Sequence, residues 1–142
     1  MQKVRYGKEA RKALLRGVNG LADVVESTLG PSGHSVILDL DPGNPVATKD
    51  GVTIAKAVKL NNSLENAGAQ MLKQASVKTA EEAGDGTTTA TVLARELYRE
   101  ASKAEKSFSG YNSVQVQQGM EYAAKKITEY TVSYTHLTLP TT

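Results

Sequence analysis

A run of glycine, aspartate and threonine that begins at Gly84 has the composition of a loop that binds phosphate. The run reads Gly84-Asp85-Gly86-Thr87-Thr88-Thr89, and its two glycines predict a turn whose backbone can approach a ligand closely. Hydrophobic residues at helical spacing follow, so the threonines stand where a helix begins, and the unpaired N–H groups of a helix N-terminus attract anions. Asp85 supplies a carboxylate of the kind that binds a divalent cation, because such ions prefer oxygen ligands. We therefore predict a phosphate site in which Asp85 binds the metal.

The same run has a simpler interpretation as the cap of a helix. Gly-Asp-Gly is a common turn and threonine is a common N-cap residue, so the turn chemistry alone favours capping. The run is not a Walker A loop, since the pattern Gly-x4-Gly-Lys-Ser/Thr does not occur in the chain. On these residues alone, both interpretations stay open.

A second candidate for the same chemistry is the tripeptide Lys49-Asp50-Gly51, which directly follows a predicted strand. Its lysine can neutralise a phosphate and its aspartate can bind a metal ion. Lys-Asp-Gly is also an ordinary solvent-exposed turn, and composition alone favours that interpretation.

Length and charge narrow the class of protein. The chain has 142 residues, enough for one domain with a core, and its 17 basic and 15 acidic residues are interspersed. This argues against a nucleic-acid surface, which needs clustered Lys and Arg. The absence of cysteine excludes disulfides and thiolate zinc sites. No apolar run approaches the roughly 18 residues of a membrane span, and the start lacks an apolar signal core. These features predict a soluble, cytoplasmic protein that binds neither nucleic acid nor membranes.

Hydrophobic spacing predicts a mainly α fold, a helical bundle with one small β hairpin. We expect helices over residues 8–29, 63–82, 87–106 and 112–130, and strands over 35–38 and 46–48. Residues 52–60 are ambiguous between a strand and a short helix. Asn62 is expected to cap the second of these helices, and Asn112 with Gln115 to form a capping box for the last one.

Each predicted helix carries an apolar stripe that should face a core. The stripes comprise Leu14, Val18, Leu21, Val25 and Leu29; Leu64, Ala67, Gly68, Met71 and Ala75; Ala90, Leu93, Ala94, Leu97, Ala101 and Ala104; and Val116, Met120, Ala123, Ile127 and Tyr130. Met71 is interpreted as a core residue, and Tyr122 and Tyr130 as half-buried packing residues.

From Thr131 the composition changes. The last twelve residues contain five threonines and no Asp, Glu, Lys or Arg, and we see neither helical periodicity nor caps continuing into them. We therefore divide the chain into residues 1–130, one folded region, and residues 131–142, a non-native or disordered tail. Our hypothesis is that this tail arose by readthrough into unrelated sequence.

The run that begins at Gly84, extended through Ala90-Thr91-Val92-Leu93-Ala94, resembles the nucleotide loop of the group I chaperonins, the GroEL family. Three other stretches agree with this family in order and spacing across residues 4 to about 94, whereas 95–130 share only its helix pattern. The matching stretches are Leu15-Arg16-Gly17-Val18-Asn19 with Leu21-Ala22-Asp23 and Thr28-Leu29-Gly30-Pro31; Thr48-Lys49-Asp50-Gly51-Val52; and Glu65-Asn66 with Gly68-Ala69-Gln70-Met71.

This resemblance implies the N-terminal part of an equatorial domain, and with it ATP, Mg²⁺ and K⁺ as ligands. It also implies stacked seven-membered rings, a lid-like cochaperonin and unfolded polypeptides as clients. By the family's pattern Thr28, Leu29, Gly30 and Pro31 would line the nucleotide, and Lys49 and Asp50 would lie beside its phosphates. Asp85 would bind Mg²⁺, and Gly86, Thr87, Thr88 and Thr89 would surround the phosphate oxygens.

The chain departs from the family at three places. After Gly30-Pro31 the family carries a basic residue, Gly, Arg and Asn, where this chain has Ser32-Gly33-His34-Ser35 and so less positive charge. Residues 107–113 carry a small insertion. The chain also spans only about a quarter of a chaperonin, so the aspartate that activates water and the client-binding domain lie outside it.

We therefore interpret the chain as an N-terminal fragment of an ATP-dependent chaperonin that assists protein folding and binds Mg-ATP through the Gly84–Thr89 loop. The resemblance implies ATPase activity for the parent, but the fragment alone should hydrolyse ATP poorly because no catalytic base lies within it. The alternative is a non-catalytic helical fragment that acts only in self-association, since truncation leaves apolar helix faces without partners.

Overall fold

The computed structural model describes residues 6–39, 43–107 and 112–138, which form five helices and one two-stranded hairpin. The predicted mainly α fold with a small β element is confirmed. In chain order the elements are α1 (Gly7–Glu26), β1 (Val36–Leu38), β2 (Val46–Thr48), α2 (Gly51–Ala57), α3 (Ser63–Glu82), α4 (Thr87–Ser107) and α5 (Ser113–Thr138). The chain divides into two compact units, Met1–Arg99 and Glu100–Thr142.

The core of the first unit lies where α1, α2 and α3 pack together. Val18, Leu21 and Val25 of α1 are buried there, as their spacing predicts, together with Ile54 of α2 and Leu72 of α3. The first helix ends at Glu26, three residues earlier than expected. Leu29, the last member of the predicted stripe, consequently lies in the loop after the helix and is exposed.

Two glycines allow α1 and α3 to approach each other at backbone distance. A Cβ atom at Gly17 of α1 would overlap the carbonyl oxygen of Glu65 in α3 and lie 2.9 Å from its Cα. In the same way, a Cβ atom at Gly68 of α3 would overlap the carbonyl oxygen of Leu14 in α1. Each helix therefore uses its own glycine to accept the backbone of the other.

This close approach rotates α3 relative to the expected orientation. Gly68, Ala69, Leu72 and Ser76 form the buried face, whereas Met71 is 58% exposed, so its interpretation as a core residue is wrong. The helix turns its small residues towards α1 because only these let the two backbones meet.

The stripe predicted for α4 is also wrong in part. Leu93 and Leu97 are exposed, and the buried positions are Thr87, Thr91 and Arg95. Two of these polar side chains have partners that offset the cost of burial: the Thr91 hydroxyl donates to the carbonyl oxygen of Thr87 at 2.7 Å, and Arg95 forms ion pairs.

The capping predictions are confirmed where the structure describes them. The Asn62 side chain accepts hydrogen bonds from the amides of Leu64 and Glu65 at the start of α3. Asn112 and Gln115 form the reciprocal pair of a capping box, with distances of 2.9 Å and 3.2 Å. The ambiguous segment 52–60 begins as the helix α2, because Asp50 caps it.

The hairpin pairs Val36 with Thr48, Ile37 with Ala47 and Leu38 with Val46 in antiparallel register. Both strands lie within the predicted segments. The residues between the two strands fall partly outside the described part of the chain, as does most of the insertion at 107–113.

Helix α5 continues to Thr138, eight residues past its expected end, so helical structure does reach into the segment from 131. The Thr131 hydroxyl donates to the carbonyl oxygen of Ile127 at 2.8 Å, so this threonine is satisfied within the helix. Tyr122 and Tyr130 are exposed and not half-buried as predicted. The origin of residues 131–142 stays a prediction, and residues 139–142 lie outside the described part of the chain.

The helices of the described ranges carry no stretch with the length and apolarity that crossing a bilayer requires.

Ser76 offers a test of how α3 is packed. Its hydroxyl is fully buried without a hydrogen-bond partner. Burying an unpaired polar group costs about 1–3 kcal/mol, so Ser76→Ala is expected to raise the free energy of unfolding by about 1 kcal/mol. Urea denaturation followed by circular dichroism measures this change. A loss of stability in Ser76→Ala would show that the hydroxyl has a partner in solution.

Candidate functional site

The Gly84–Thr89 loop includes the first residues of α4, which begins at Thr87. Gly84 and Gly86 have φ angles of 74° and 76°, the left-handed region in which glycine is favoured. The first intrahelical bond runs from the amide of Ala90 to the carbonyl oxygen of Gly86 at 2.9 Å. The amides of Thr87, Thr88 and Thr89 precede this bond, so they have no acceptor within the helix. The loop thus presents three consecutive N–H donors at the positive end of a helix dipole.

Space is open in front of this loop. A Cβ atom at Gly84 or Gly86 would meet no other heavy atom within 4 Å, so backbone conformation and not packing requires glycine there. The carboxylate of Asp85 is exposed and accepts one hydrogen bond from the amide of Gly86 at 2.7 Å. That bond ends before the first helical residue, Thr87. Asp85 therefore stabilises the loop and leaves the helix amides to another acceptor.

The second loop, which is the tripeptide at residues 49–51, has a clear structural role. Asp50 is the N-cap of α2, where its Oδ2 accepts hydrogen bonds from the amide of Thr53 at 3.0 Å and from the Thr53 hydroxyl. Asp50 is thus a helix cap, a role that the sequence analysis did not assign to it. The neighbouring Lys49 extends towards the first loop, residues 27–34, where its Nζ donates to the carbonyl oxygen of Gly33 at 2.7 Å.

The first loop folds back on the end of α1. The amide of His34 donates to the carbonyl oxygen of Ser27 at 2.9 Å, and that of Gly33 to Gly30 at 3.0 Å. Thr28 is buried, and its hydroxyl donates to Val25 in the last turn of α1 at 2.7 Å. The Thr28 side chain therefore holds the loop, whereas Leu29, Gly30 and Pro31 are exposed.

The structure brings these three loops together. A Cβ atom at Gly51 would lie 2.5 Å from the hydroxyl oxygen and 2.9 Å from the amide nitrogen of Thr88, so α2 and α4 meet at their N-termini. Lys49 joins this pair to Gly33 of the first loop. The segments that sequence analysis singled out, 28–31, 49–50 and 85–89, therefore belong to loops that are linked to one another within the first unit.

The sequence analysis missed the buried cation that stands two turns further along α4. The Arg95 side chain is only 10% exposed, and its nitrogens lie 3.0 Å from Asp23, 2.8 Å from Glu26 and 3.0 Å from Glu96. Burial lowers the pKa of Arg95, but the hydrogen bond and charge of Glu26, with the charges of Glu96 and Asp23, outweigh it and raise the pKa. The available signal was the polar spacing Thr87, Thr91 and Arg95, which places three polar residues on one face of the helix.

Comparison with known proteins decides the family. The model of the TCP-1/cpn60 chaperonin family matches residues 21–141. The chain belongs to this family. The resemblance to chaperonins in the loop sequences is thereby confirmed, and the five helices and hairpin of this chaperonin chain are those of an equatorial-domain-like fold.

Solved structures agree with this assignment. The chaperonin gp146 from the bacteriophage EL 2 (Pseudomonas aeruginosa), crystallised in the presence of ATP-BeFx, is similar in two crystal forms. In form II the sequence identity is 32%, the TM-score is 0.64 and the match covers 74% of this chain. In form I the values are 33%, 0.61 and 66%. The chain spans only 18% and 17% of the length of those two chains.

Proposed function

We propose that this chain binds Mg-ATP between its three loops, as the N-terminal part of the nucleotide site of an ATP-dependent chaperonin. The observation that carries the proposal is the contact of Gly51 with Thr88, which sets Lys49 and Asp50 beside the open N-terminus of α4. Support comes from the gp146 structures, which were obtained in the presence of ATP-BeFx.

The residues present suit a metal-bound phosphate. Asp85 and Asp50 are both exposed, and no cluster of three or more His, Cys, Asp or Glu side chains occurs within the described ranges. Mg²⁺ is commonly held by one or two carboxylates together with phosphate oxygens and water, which is the donor set available here. Asp85 would hold the ion, and Mg²⁺ bound there would neutralise charge on the phosphates.

The protein itself would position the nucleotide. The amides of Thr87, Thr88 and Thr89 would donate hydrogen bonds to phosphate oxygens, and Lys49 would add positive charge to the site. Leu29, Gly30 and Pro31 offer the exposed edge of the first loop to the rest of the nucleotide. We assign no residue of this chain to the activation of water, so the chain should bind ATP and hydrolyse it poorly.

The wider activity belongs to a longer protein. As part of a chain of the length of gp146, this unit would serve a cytoplasmic ring-shaped assembly that folds polypeptides with a cochaperonin. K⁺ would accompany Mg²⁺ in its nucleotide site. ATP would then act by binding some ring conformations more tightly than others.

A second candidate function is self-association. It is favoured by the exposure of Met71, Leu93 and Leu97, and of several apolar side chains along α5. Apolar surface of this kind promotes association between chains. Concentration-dependent oligomers in sedimentation experiments, without any response to nucleotide, would favour this candidate over Mg-ATP binding.

Replacement of Asp85 by alanine tests the proposed nucleotide site. We expect Asp85→Ala to weaken binding of ATP in the presence of Mg²⁺ by at least roughly tenfold, because a bound metal ion contributes several kcal/mol of charge stabilisation. Isothermal titration calorimetry with Mg²⁺ and with EDTA measures the effect. The wild type should lose affinity in EDTA, and the variant should bind equally weakly in both.

Asp39→Ala is the matched control, since it removes an exposed aspartate outside the three loops. It should leave the affinity unchanged. Equal affinity of the wild type with Mg²⁺ and with EDTA would contradict the assignment of Asp85 to the metal, and failure to bind ATP at all would contradict the proposed function.

A further inference from the structure

The face of α4 that carries Thr87, Thr91 and Arg95 connects the three loops to the ion pairs of Arg95. These residues are spaced four apart, so they lie one above the other on the helix, and all three are buried. The Thr91 hydroxyl ties the first two turns together through its bond to the carbonyl oxygen of Thr87. The position of Arg95 therefore fixes the position of the helix N-terminus.

The carboxylates that bind Arg95 from a second helix belong to the last turn of α1. Asp23 and Glu26 bind the Arg95 guanidinium through their side chains, at 3.0 Å and 2.8 Å. The backbone carbonyls of the same two residues accept hydrogen bonds from the amides of Ser27 at 3.2 Å and Leu29 at 2.9 Å. The residues that hold Arg95 thus also hold the start of the first loop.

We propose that Arg95 is a positioning residue for the nucleotide site, which fixes the first turn of α4 relative to the loop at 27–34 through Asp23 and Glu26. The effect on nucleotide affinity rests on the proposed function, whereas the effect on the loops does not. The planar guanidinium suits this role because it can meet carboxylates on two elements at once in a fixed geometry.

The distribution of exposure shows that Arg95 is the anchored partner. Its side chain is 10% exposed, whereas those of Asp23 and Glu26 are 70% and 46% exposed. The carboxylates of Asp23 and Glu26 therefore lie at the surface and contact a guanidinium that is buried by packing of the helices. Glu96 also binds Arg95 but stands on α4 itself, so its contact does not connect the two helices.

The experiment uses the full 142-residue chain and the variants Arg95→Gln and Arg95→Lys. Two quantities are measured at a temperature at which every variant is folded by circular dichroism: the Kd for Mg-ATP, and amide hydrogen exchange at residues 84–90 in the protein without nucleotide. We expect Arg95→Gln to weaken binding roughly fivefold to tenfold and to speed exchange by a similar factor. Arg95→Lys should be intermediate, since lysine keeps the charge and loses the planar geometry.

Two controls separate positioning from general loss of stability. Glu96→Gln removes the carboxylate that does not connect the helices, so both quantities should stay within twofold of the wild type. Leu72→Ala lowers the stability of the core of α3, and it should not change the affinity of the folded protein. Double replacement of Asp23 and Glu26 by their amides should reproduce Arg95→Gln, and combining all three changes should add nothing further.

Wild-type exchange and affinity in Arg95→Gln would overturn the inference, and so would an equal loss of affinity in Leu72→Ala. If the wild type fails to bind Mg-ATP, the proposed function fails, and the exchange of residues 84–90 still decides the role of Arg95.

Discussion

Gly17→Ala is expected to destabilise the chain by about 3 kcal/mol, the upper end of the range for overpacking a well-packed contact. The new Cβ atom would overlap the carbonyl oxygen of Glu65, which belongs to the backbone of α3. A side chain could rotate away from such a contact, but a helix backbone must move as a whole. The loss is large compared with the total stability of a domain, about 5–15 kcal/mol.

Thermal and urea unfolding of the variant measure this loss, and Gly20→Ala provides a control in the same helix. A Cβ atom at Gly20 would make ordinary contacts with Leu60, at 3.6 Å and 3.9 Å. Alanine is favoured over glycine in a helix by up to about 1 kcal/mol, so Gly20→Ala should be neutral or stabilising. Equal stability of the two variants would show that α1 and α3 do not meet at Gly17.

Gly51→Ala is expected to separate the N-termini of α2 and α4 and so to disrupt the proposed nucleotide site. The added carbon would stand 2.5 Å from the Thr88 hydroxyl oxygen and 2.9 Å from its amide nitrogen. The hydroxyl can rotate, but the amide can move only with the first turn of α4. We expect a loss of stability of about 1–3 kcal/mol and a loss of Mg-ATP affinity of at least roughly tenfold, because misplacement by about 1 Å is costly at such sites.

Calorimetric titration with Mg-ATP, below the unfolding temperature of the variant, measures this effect. Gly119→Ala is the comparison, since a Cβ atom there would meet nothing within 4 Å. It should retain full affinity and gain helix stability. Wild-type affinity in Gly51→Ala would contradict the placement of the nucleotide at the contact between α2 and α4.

Local patterns predicted the elements and the caps of this chain because the physics behind them is local. The stripe of Val18, Leu21 and Val25 needs only helical periodicity, and the caps at Asn62 and Asn112 need only side chains that can reach nearby amides. The segments of the candidate site were found in the same way, as glycine-containing turns next to polar residues. Their roles as nucleotide contacts stay predictions.

Helical periodicity could not predict which faces of α3 and α4 are buried. Hydrophobicity assigns Met71 and Leu93 to the interior, but the structure buries Gly68 and Ala69 because another backbone must fit against them. The burial of Arg95 depends on Asp23, which lies 72 positions away in sequence. Which face of a helix is buried depends on the surface that packs against it, and a single sequence does not show which surface that is.

The meeting of the three loops also constrains when the site can form on a growing chain. Gly33 and Lys49 are contributed early, but the contacts that complete the arrangement come from Thr88 and Arg95. During synthesis, the first two loops can contact α4 only after α4 has left the ribosome. Contacts between residues so far apart in sequence form slowly compared with a helix. A nascent chain interrupted before α4 would hold the hairpin and the first helix without the surface that α4 completes.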